Sequence, residues 1–302
     1  MMKKMYGVNT PLSCPMKENG AVDHDGLASL SDFLAGKGIH GLYVNGSTGE
    51  MCYLSTQERK EVLETVIKAN AGRSQVFAMV GSLTTQETVE LAQHAEKVGA
   101  DGIGVVTPFY YKLDDEELLG HFKAVSESVS SDFPIYLYGI PQLAVNDITP
   151  ALAERVAEAC PNVVGIKYSY PDMPRLLKFM NVHDGTFSVL AGPDDLFFAT
   201  LCSGGDGTIS GNSNVIPELY LAIYDAFKKG DYETGRKLQA RVNLIIDYLS
   251  GPNNMSRYKV GLKYRGVIKC AAMRKPLRSI SEESEKELIE ALERLRYLDT
   301  NV

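Results

Sequence analysis

The sequence predicts an α/β protein, a (β/α)8 TIM barrel with a C-terminal helical extension. Eight short apolar segments alternate with amphipathic stretches of helical period up to about residue 216. The apolar segments are near-continuous rather than alternating, as strands buried on both faces of a parallel sheet are. Beyond Pro217 the pattern becomes all-helical. The competing open doubly wound sheet requires a glycine fingerprint after its first strand, and no GxGxxG or Walker loop occurs. The expected organisation is residues 1–216 for the barrel strands and helices. Residues 217–302 then supply the last barrel helix and the extension, the whole forming one structural unit.

The elements are expected in this order. Met5-Tyr6-Gly7-Val8 is a weak first strand ending at Asn9-Thr10-Pro11, followed by helical spacing around Leu27, Leu30, Phe33 and Leu34. Leu42-Tyr43-Val44 is the second strand and runs into Asn45-Gly46-Ser47-Thr48-Gly49-Glu50. Ser55 with Glu58, and Thr84 with Glu87, stand at capping-box spacing and open the next two helices. Between them lies the strand 76–80. Strands 102–106 and 134–138 flank a helix from about Asp114 to Val129, and Thr149-Pro150 caps a helix running to Cys160. Val163–Lys167 is the sixth strand, 187–191 the seventh and 207–210 the eighth. Helices are then expected at about 217–229, 231–250, 257–273 and 281–297, with a loop at Gly251-Pro252-Asn253-Asn254. No repeat beyond the βα period is evident.

Bulk properties narrow the function. At 302 residues, 44% hydrophobic and 23% charged, the chain can bury a sizeable core. A net charge of -7 without a dense Lys/Arg stripe argues against a nucleic-acid partner. Five scattered cysteines, without a CxxC pair, read as buried thiols of a reducing compartment rather than a disulfide framework or zinc site. No signal peptide and no run of membrane-spanning length is visible, so a soluble, cytoplasmic protein is expected. The five histidines are dispersed without metal-ligand spacing, so no metal site is expected.

In a barrel of this class the active site lies at the C-terminal ends of the strands. Ser47-Thr48, Tyr110-Tyr111, Tyr138, Lys167 with Ser169, Gly192 with Asp194-Asp195, and Ser210 follow six of the eight strands. Lys167 is central. A lysine at the end of Val163-Val164-Gly165-Ile166 must lift its amine to water or accept a lowered pKa, and a free amine attacks carbonyl carbon. Gly46-Ser47-Thr48-Gly49 reads either as an anion nest suited to a carboxylate or as an ordinary strand–helix turn. Tyr138 reads as a proton carrier or as a barrel-lining tyrosine. Tyr110 and Tyr111 suit loop packing or a subunit contact. Asp194 and Asp195 suit the first turn of a helix through Phe197 and Phe198.

Five ordered stretches, covering essentially the whole chain, resemble the pyruvate-dependent class I aldolases of the dihydrodipicolinate synthase/N-acetylneuraminate lyase family. They are 41–50 (Gly-Leu-Tyr-Val-Asn-Gly-Ser-Thr-Gly-Glu), 106–111 (Val-Thr-Pro-Phe-Tyr-Tyr), Tyr138-Gly139-Ile140-Pro141, Gly165-Ile166-Lys167 and 204–210 (Gly-Gly-Asp-Gly-Thr-Ile-Ser). The resemblance implies a homotetrameric enzyme acting on small molecules without a cofactor, through an imine between Lys167 and pyruvate. It implies Ser47, Thr48 and the backbone near Ile209 for the pyruvate carboxylate. Tyr138 would be the acid/base, and Tyr110 a relay hydroxyl often reaching in from a neighbouring subunit. Gly-Ser-Thr-Gly-Glu, Ser169 and Gly192/Asp194/Asp195 are closer to the lyases, which use such residues on a sugar chain. Three departures bear on the acceptor. Gly211 replaces a lyase serine, Gly139 replaces the usual Asn, and Leu143 stands where synthases carry an arginine. The implied reaction is cleavage of a 2-keto sugar acid, sialic or 3-deoxy. Condensation of pyruvate with aspartate semialdehyde is the alternative, and a non-catalytic sugar-acid binder is the reading of another class.

Overall fold

The computed structural model describes residues 2–251 and 253–301; Pro252, in the expected loop at 251–254, lies outside the described residues. Eight strands follow one another in chain order round a closed parallel barrel. The order begins β1 (Gly7–Pro11), α1 (His24–Gly36), β2 (Gly41–Val44), α2 (Thr56–Asn70), β3 (Gln75–Met79), α3 (Thr85–Lys97), β4 (Gly102–Val106) and α4 (Asp115–Glu127). Next come β5 (Ile135–Gly139), α5 (Pro141–Ala144), α6 (Pro150–Ala159), β6 (Val163–Tyr168), α7 (Met173–Phe179), β7 (Ser188–Ala191), α8 (Phe197–Cys202) and β8 (Gly207–Ile209). α9 (Pro217–Lys228), α10 (Tyr232–Leu249), α11 (Asn254–Tyr264) and α12 (Glu282–Arg294) form the C-terminal part.

Two compact units divide the chain, Met1–Tyr6 with Gln75–Ile209 and Gly7–Ser74 with Ser210–Val302. In the first, β3 to β8 pair in sequence, and the β5–β6 register sets Tyr138 beside Lys167. In the second, β1 pairs with β2, α1 packs on α2, and α9 packs on α10.

Local chemistry explains where the elements begin and end. The Ser55/Glu58 box closes in both directions (3.2 and 2.8 Å). At Thr84 the hydroxyl accepts from Glu87 N–H (3.2 Å), while the Glu87 carboxylate accepts from the Ser82 hydroxyl. Strand β1 runs later than expected because its polar residues find buried partners. Thr10 Oγ1 pairs with Ser213 Oγ at 2.8 Å, and Asn214 Nδ2 donates to Pro11 O at 2.8 Å. The helix expected over 257–273 ends instead at Tyr264. Gly266, at φ 71°, lets its own N–H reach Lys263 O and lets Val267 N–H reach Leu262 O, both at 2.9 Å, which closes the helix. The short helices α5 and α7 were not expected; each opens with proline in its first turn. Two of the five cysteines, Cys52 and Cys202, are exposed rather than buried, one in a surface turn and one at the last residue of α8.

A finer repeat than the βα period lies before three of the strands. Gly38-Ile39-His40-Gly41, Gly99-Ala100-Asp101-Gly102 and Gly204-Gly205-Asp206-Gly207 each open with a glycine at positive φ. In each, the third residue bonds back to the preceding strand. Asp101 accepts from Val76 N–H (2.8 Å) and Asp206 from Val189 N–H (2.9 Å). His40 does the same for Val8 N–H through Nδ1 (3.0 Å), its ring edge-on to Tyr224. His40 therefore serves the strand-start end of the barrel, away from chemistry.

As an acceptor His40 must stay neutral, and burial lowers its pKa. Burial pushes the His121 imidazole, whose Nδ1 meets Thr85 Oγ1 at 2.9 Å, down to about 4. A histidine with a depressed folded-state pKa binds its proton more readily when unfolded. Its contribution is thus complete above the ordinary value near 6.5 and is lost as pH falls toward 4. Urea unfolding at pH 7.5 and pH 5 should show lower stability at the acid pH, and His121→Gln should flatten that slope. An unchanged slope in the variant would remove His121 from the account.

Candidate active site

The side-chain parity of two adjacent strands builds the centre. Tyr136 and Tyr138 on β5 point to the same face as Gly165 and Lys167 on β6, because successive strand residues alternate. Gly165 has no room for a side chain: a Cβ there would lie 2.4 Å from Ser188 O and 2.6 Å from the Tyr136 ring. Tyr136 fills that layer, its hydroxyl donating to Ser188 Oγ (3.0 Å) and accepting from Met5 N–H (2.8 Å). Burial raises the Tyr136 pKa, so this tyrosine stays a neutral phenol and a structural group. One layer further along, Lys167 Nζ sits 4.1 Å from the centroid of the Tyr138 ring. Lys167 is 4% exposed, so its amine does not snorkel to bulk water. The strands thus bring together the two residues on which the implied chemistry depends.

The other face of the same strands explains a departure from the family pattern. Tyr168 points outward, packs on Phe179 (centroids 5.1 Å apart) and carries the Arg175 guanidinium over its ring at 5.7 Å. A Cβ at Gly139 would lie 2.7 Å from the Tyr168 ring. Gly139 and Tyr168 are therefore a matched pair on the outer face of β5 and β6.

The strand ends carry the remaining residues of this unit. Backbone bonds continue past the strands, from Ser169 N–H to Gly139 O (2.8 Å) and from Gly192 N–H to Tyr168 O (2.9 Å). Gly192 has no room for a side chain, since a Cβ would fall 2.6 Å from Ser169 Cα. Asp194 and Asp195 form a single 3-10 turn before α8, with Asp195 exposed. They stand in the turn that leads directly into α8. Ile209 is buried at the end of β8. Tyr110 stands apart from the buried pair: it is 76% exposed, edge-on to Tyr111 at 5.0 Å, and held at φ 84°. A bulky residue at positive φ is strained and persists only where its surroundings fix it.

The residue that fixes this loop is Asn146, which the sequence does not flag. It is fully buried. Its Nδ2 donates to Pro108 O and Tyr111 O, both at 2.8 Å, and its Oδ1 accepts from Leu113 N–H at 2.9 Å. Those partners are more than thirty positions away, so no local motif announces the role.

In the second unit, Ser47 and Thr48 lie in a 3-10 turn, Ser47–Gly49, directly after β2. Both are half-buried, Gly46 and Gly49 on either side are buried, and a Cβ at Gly49 would meet Leu12 O at 3.0 Å. Gly211, on the position where the lyases have serine, faces Tyr258, whose ring lies 2.9 Å from where a Cβ would be. Among the described residues no cluster of His, Cys, Asp and Glu is arranged to hold a metal ion, and no helix is long and apolar enough to cross a membrane.

Comparison with known proteins gives this arrangement its context. Residues 4–295 match the Dihydrodipicolinate synthetase family. The chain belongs to that family. Its members are pyruvate-dependent aldolases and lyases that form a Schiff base between pyruvate and a lysine, with no metal or other cofactor. Among family relatives, the protein named "Probable 2-dehydro-3-deoxy-D-pentonate aldolase YjhH" from Escherichia coli K12 is 35% identical over 80% of both chains. The crystal structure of YagE, an E. coli K12 prophage protein in complex with pyruvate, superposes with a TM-score of 0.92 at 31% identity. That match covers 97% of this chain and 99% of YagE. A catalytic-lysine mutant of the Ruminococcus gnavus sialic acid aldolase superposes with a TM-score of 0.90, at 31% identity over 96% and 95% of the two chains. The dihydrodipicolinate synthetase family thus holds relatives acting on quite different acceptors, and the acceptor must be argued from this chain's own residues.

Proposed function

We propose that this protein is a class I aldolase that reversibly cleaves a 2-keto-3-deoxy sugar acid to pyruvate and an aldehyde, through an imine on Lys167. The observation that carries the reading is the buried Lys167 amine lying 4.1 Å from the Tyr138 ring on adjacent strands. The amine adds to the C2 keto carbon, and water leaves as the imine forms. Tyr138 gives its phenol proton to the departing C2 hydroxyl and becomes a phenolate. The cation then accepts the electron pair of the breaking C3–C4 bond as an enamine, while the C4 hydroxyl passes its proton to that phenolate and becomes the aldehyde. Protonation at C3 and addition of water to the imine release pyruvate and restore the amine. Ser47 and Thr48, with the backbone near Ile209, take the carboxylate. Tyr110, exposed and strained, is presented to a neighbouring subunit of a homotetramer, as the family resemblance suggests.

The acceptor side favours a polyhydroxylated chain. Leu143 is 67% exposed and offers no charge where a synthase needs an arginine for the semialdehyde carboxylate. Losing that charged hydrogen bond corresponds to roughly ten- to hundred-fold in specificity. Asp194, Asp195 and Ser169 supply acceptors for sugar hydroxyls, and the carboxylates repel a second acid. Gly211, with Tyr258 occupying the side-chain space, argues against the full sialic acid contact set. The name borne by YjhH supports the shorter sugar acids. The test compares pyruvate release from a series of 2-keto-3-deoxy acids and from N-acetylneuraminate with condensation of pyruvate and aspartate semialdehyde. A 2-keto-3-deoxy acid should have the highest kcat/KM. Faster semialdehyde condensation would replace this reading with the synthase, and activity on none with the binding protein.

A further inference from the structure

The turn that carries Ser47 and Thr48 is held at both ends by buried side chains. Asn45 and Glu50 flank it, and both lie in the left-handed region, at φ 62° and φ 60°. Glycine adopts that conformation freely, whereas other residues keep it only when their contacts fix it. Asn45 is tied by Nδ2 to Arg59 O in α2 (2.7 Å). Glu50 is tied by both oxygens to the C-terminal part of the chain. Its Oε1 accepts from the Lys259 ammonium on α11, and its Oε2 accepts from the Arg274 backbone N–H at 3.0 Å. Neither side chain of the Glu50–Lys259 pair has exposed surface, and Lys259 also donates to Ala272 O at 2.9 Å. The nearby Arg274 guanidinium is engaged elsewhere, by Glu58 (2.7 Å to each oxygen), Gly20 O and Tyr53 O. Burial pushes the Cys14 thiol up to about 12, so it adds no charge to the group.

We propose that Glu50 and Lys259 are positioning residues, whose buried pair fixes the Ser47–Gly49 turn in its carboxylate-binding shape. The inference rests on the pyruvate reading above. A glycine at position 50 would supply the backbone conformation without strain, and a buried ion pair adds no more stability than apolar residues of equal volume. What the pair adds is direction. It holds Glu50 so that its N–H reaches Ser47 O (3.1 Å), closing the turn together with Gly49 N–H to Gly46 O (2.9 Å).

The test is Glu50→Gln, whose amide must turn its NH2 toward one of two donors and so gives up one of the two tethers. Purified protein is incubated with borohydride and increasing pyruvate, or with methyl pyruvate, which lacks the carboxylate, and the reduced adduct on Lys167 is measured by mass spectrometry. The half-saturating pyruvate concentration should rise about ten-fold, the scale of a small misplacement of a binding group. The value for methyl pyruvate and the trapping rate at saturation should stay as in the wild type. Arg265→Ala, which breaks a pair with Glu218 (2.7 Å) in the same unit, controls for general loss of stability and should affect both probes alike. If Glu50→Gln does not fold, Glu50→Gln with Lys259→Met leaves no charge buried alone and gives the same reading. Unchanged discrimination between the probes overturns the inference alone. Absence of any adduct in the wild type removes the pyruvate reading and this inference with it.

Discussion

Lys167→Ala should abolish turnover on every substrate while leaving the barrel folded. The buried amine is the only group assigned to covalent chemistry, and loss of a covalent nucleophile from a working site returns roughly 10⁶-fold in rate. Lys167→Arg should be equally inactive, because a guanidinium stays protonated and cannot add to a keto carbon. The alanine variant loses packing against the Tyr138 ring, 4.1 Å away, so thermal unfolding must accompany the kinetics. A folded alanine variant that keeps more than a trace of activity would assign the chemistry to a different group. Turnover measured with pyruvate release as the readout decides between these.

Tyr138→Phe should lower kcat by about 10²–10⁴, the usual contribution of a positioned general acid/base. The ring remains, so both the packing on Lys167 and the fold survive. Imine formation should suffer less than C–C cleavage, because the amine is intact and only the proton carried to and from the substrate oxygen is missing. Borohydride trapping that persists in a variant with little turnover is the expected signature. Unimpaired turnover would reduce Tyr138 to a lining residue like Tyr136, which fills the layer below it with its hydroxyl committed to Ser188 and Met5.

Much of this was legible in the sequence because it is written locally. Near-continuous apolar strands and capping pairs such as Ser55/Glu58 each act within a few residues. They place the barrel and the strand ends within one or two positions. Parity along Tyr136–Tyr138 and Gly165–Lys167 then puts lysine and tyrosine on one face. Where the structure departs from the local pattern, each departure has its own physical cause. Strand β1 hides behind Asn9, Thr10 and Pro11, whose partners Ser213 and Asn214 lie some two hundred residues away. The helix expected over 257–273 stops at Tyr264 because Gly266 takes a positive φ, which apolar periodicity does not announce. Asn146 and the Glu50–Lys259 pair were not legible at all. Each acts through partners distant in the chain, and neither residue type at those spacings signals a role.

The central claim is that Lys167 forms an imine with pyruvate. Incubation of the wild-type protein with pyruvate and borohydride, followed by proteolysis and mass spectrometry, tests it directly. One reduced pyruvate per chain, on the peptide containing Lys167, is the expected result. An adduct on Lys263 or Lys269 instead, or none at saturating pyruvate, would contradict it.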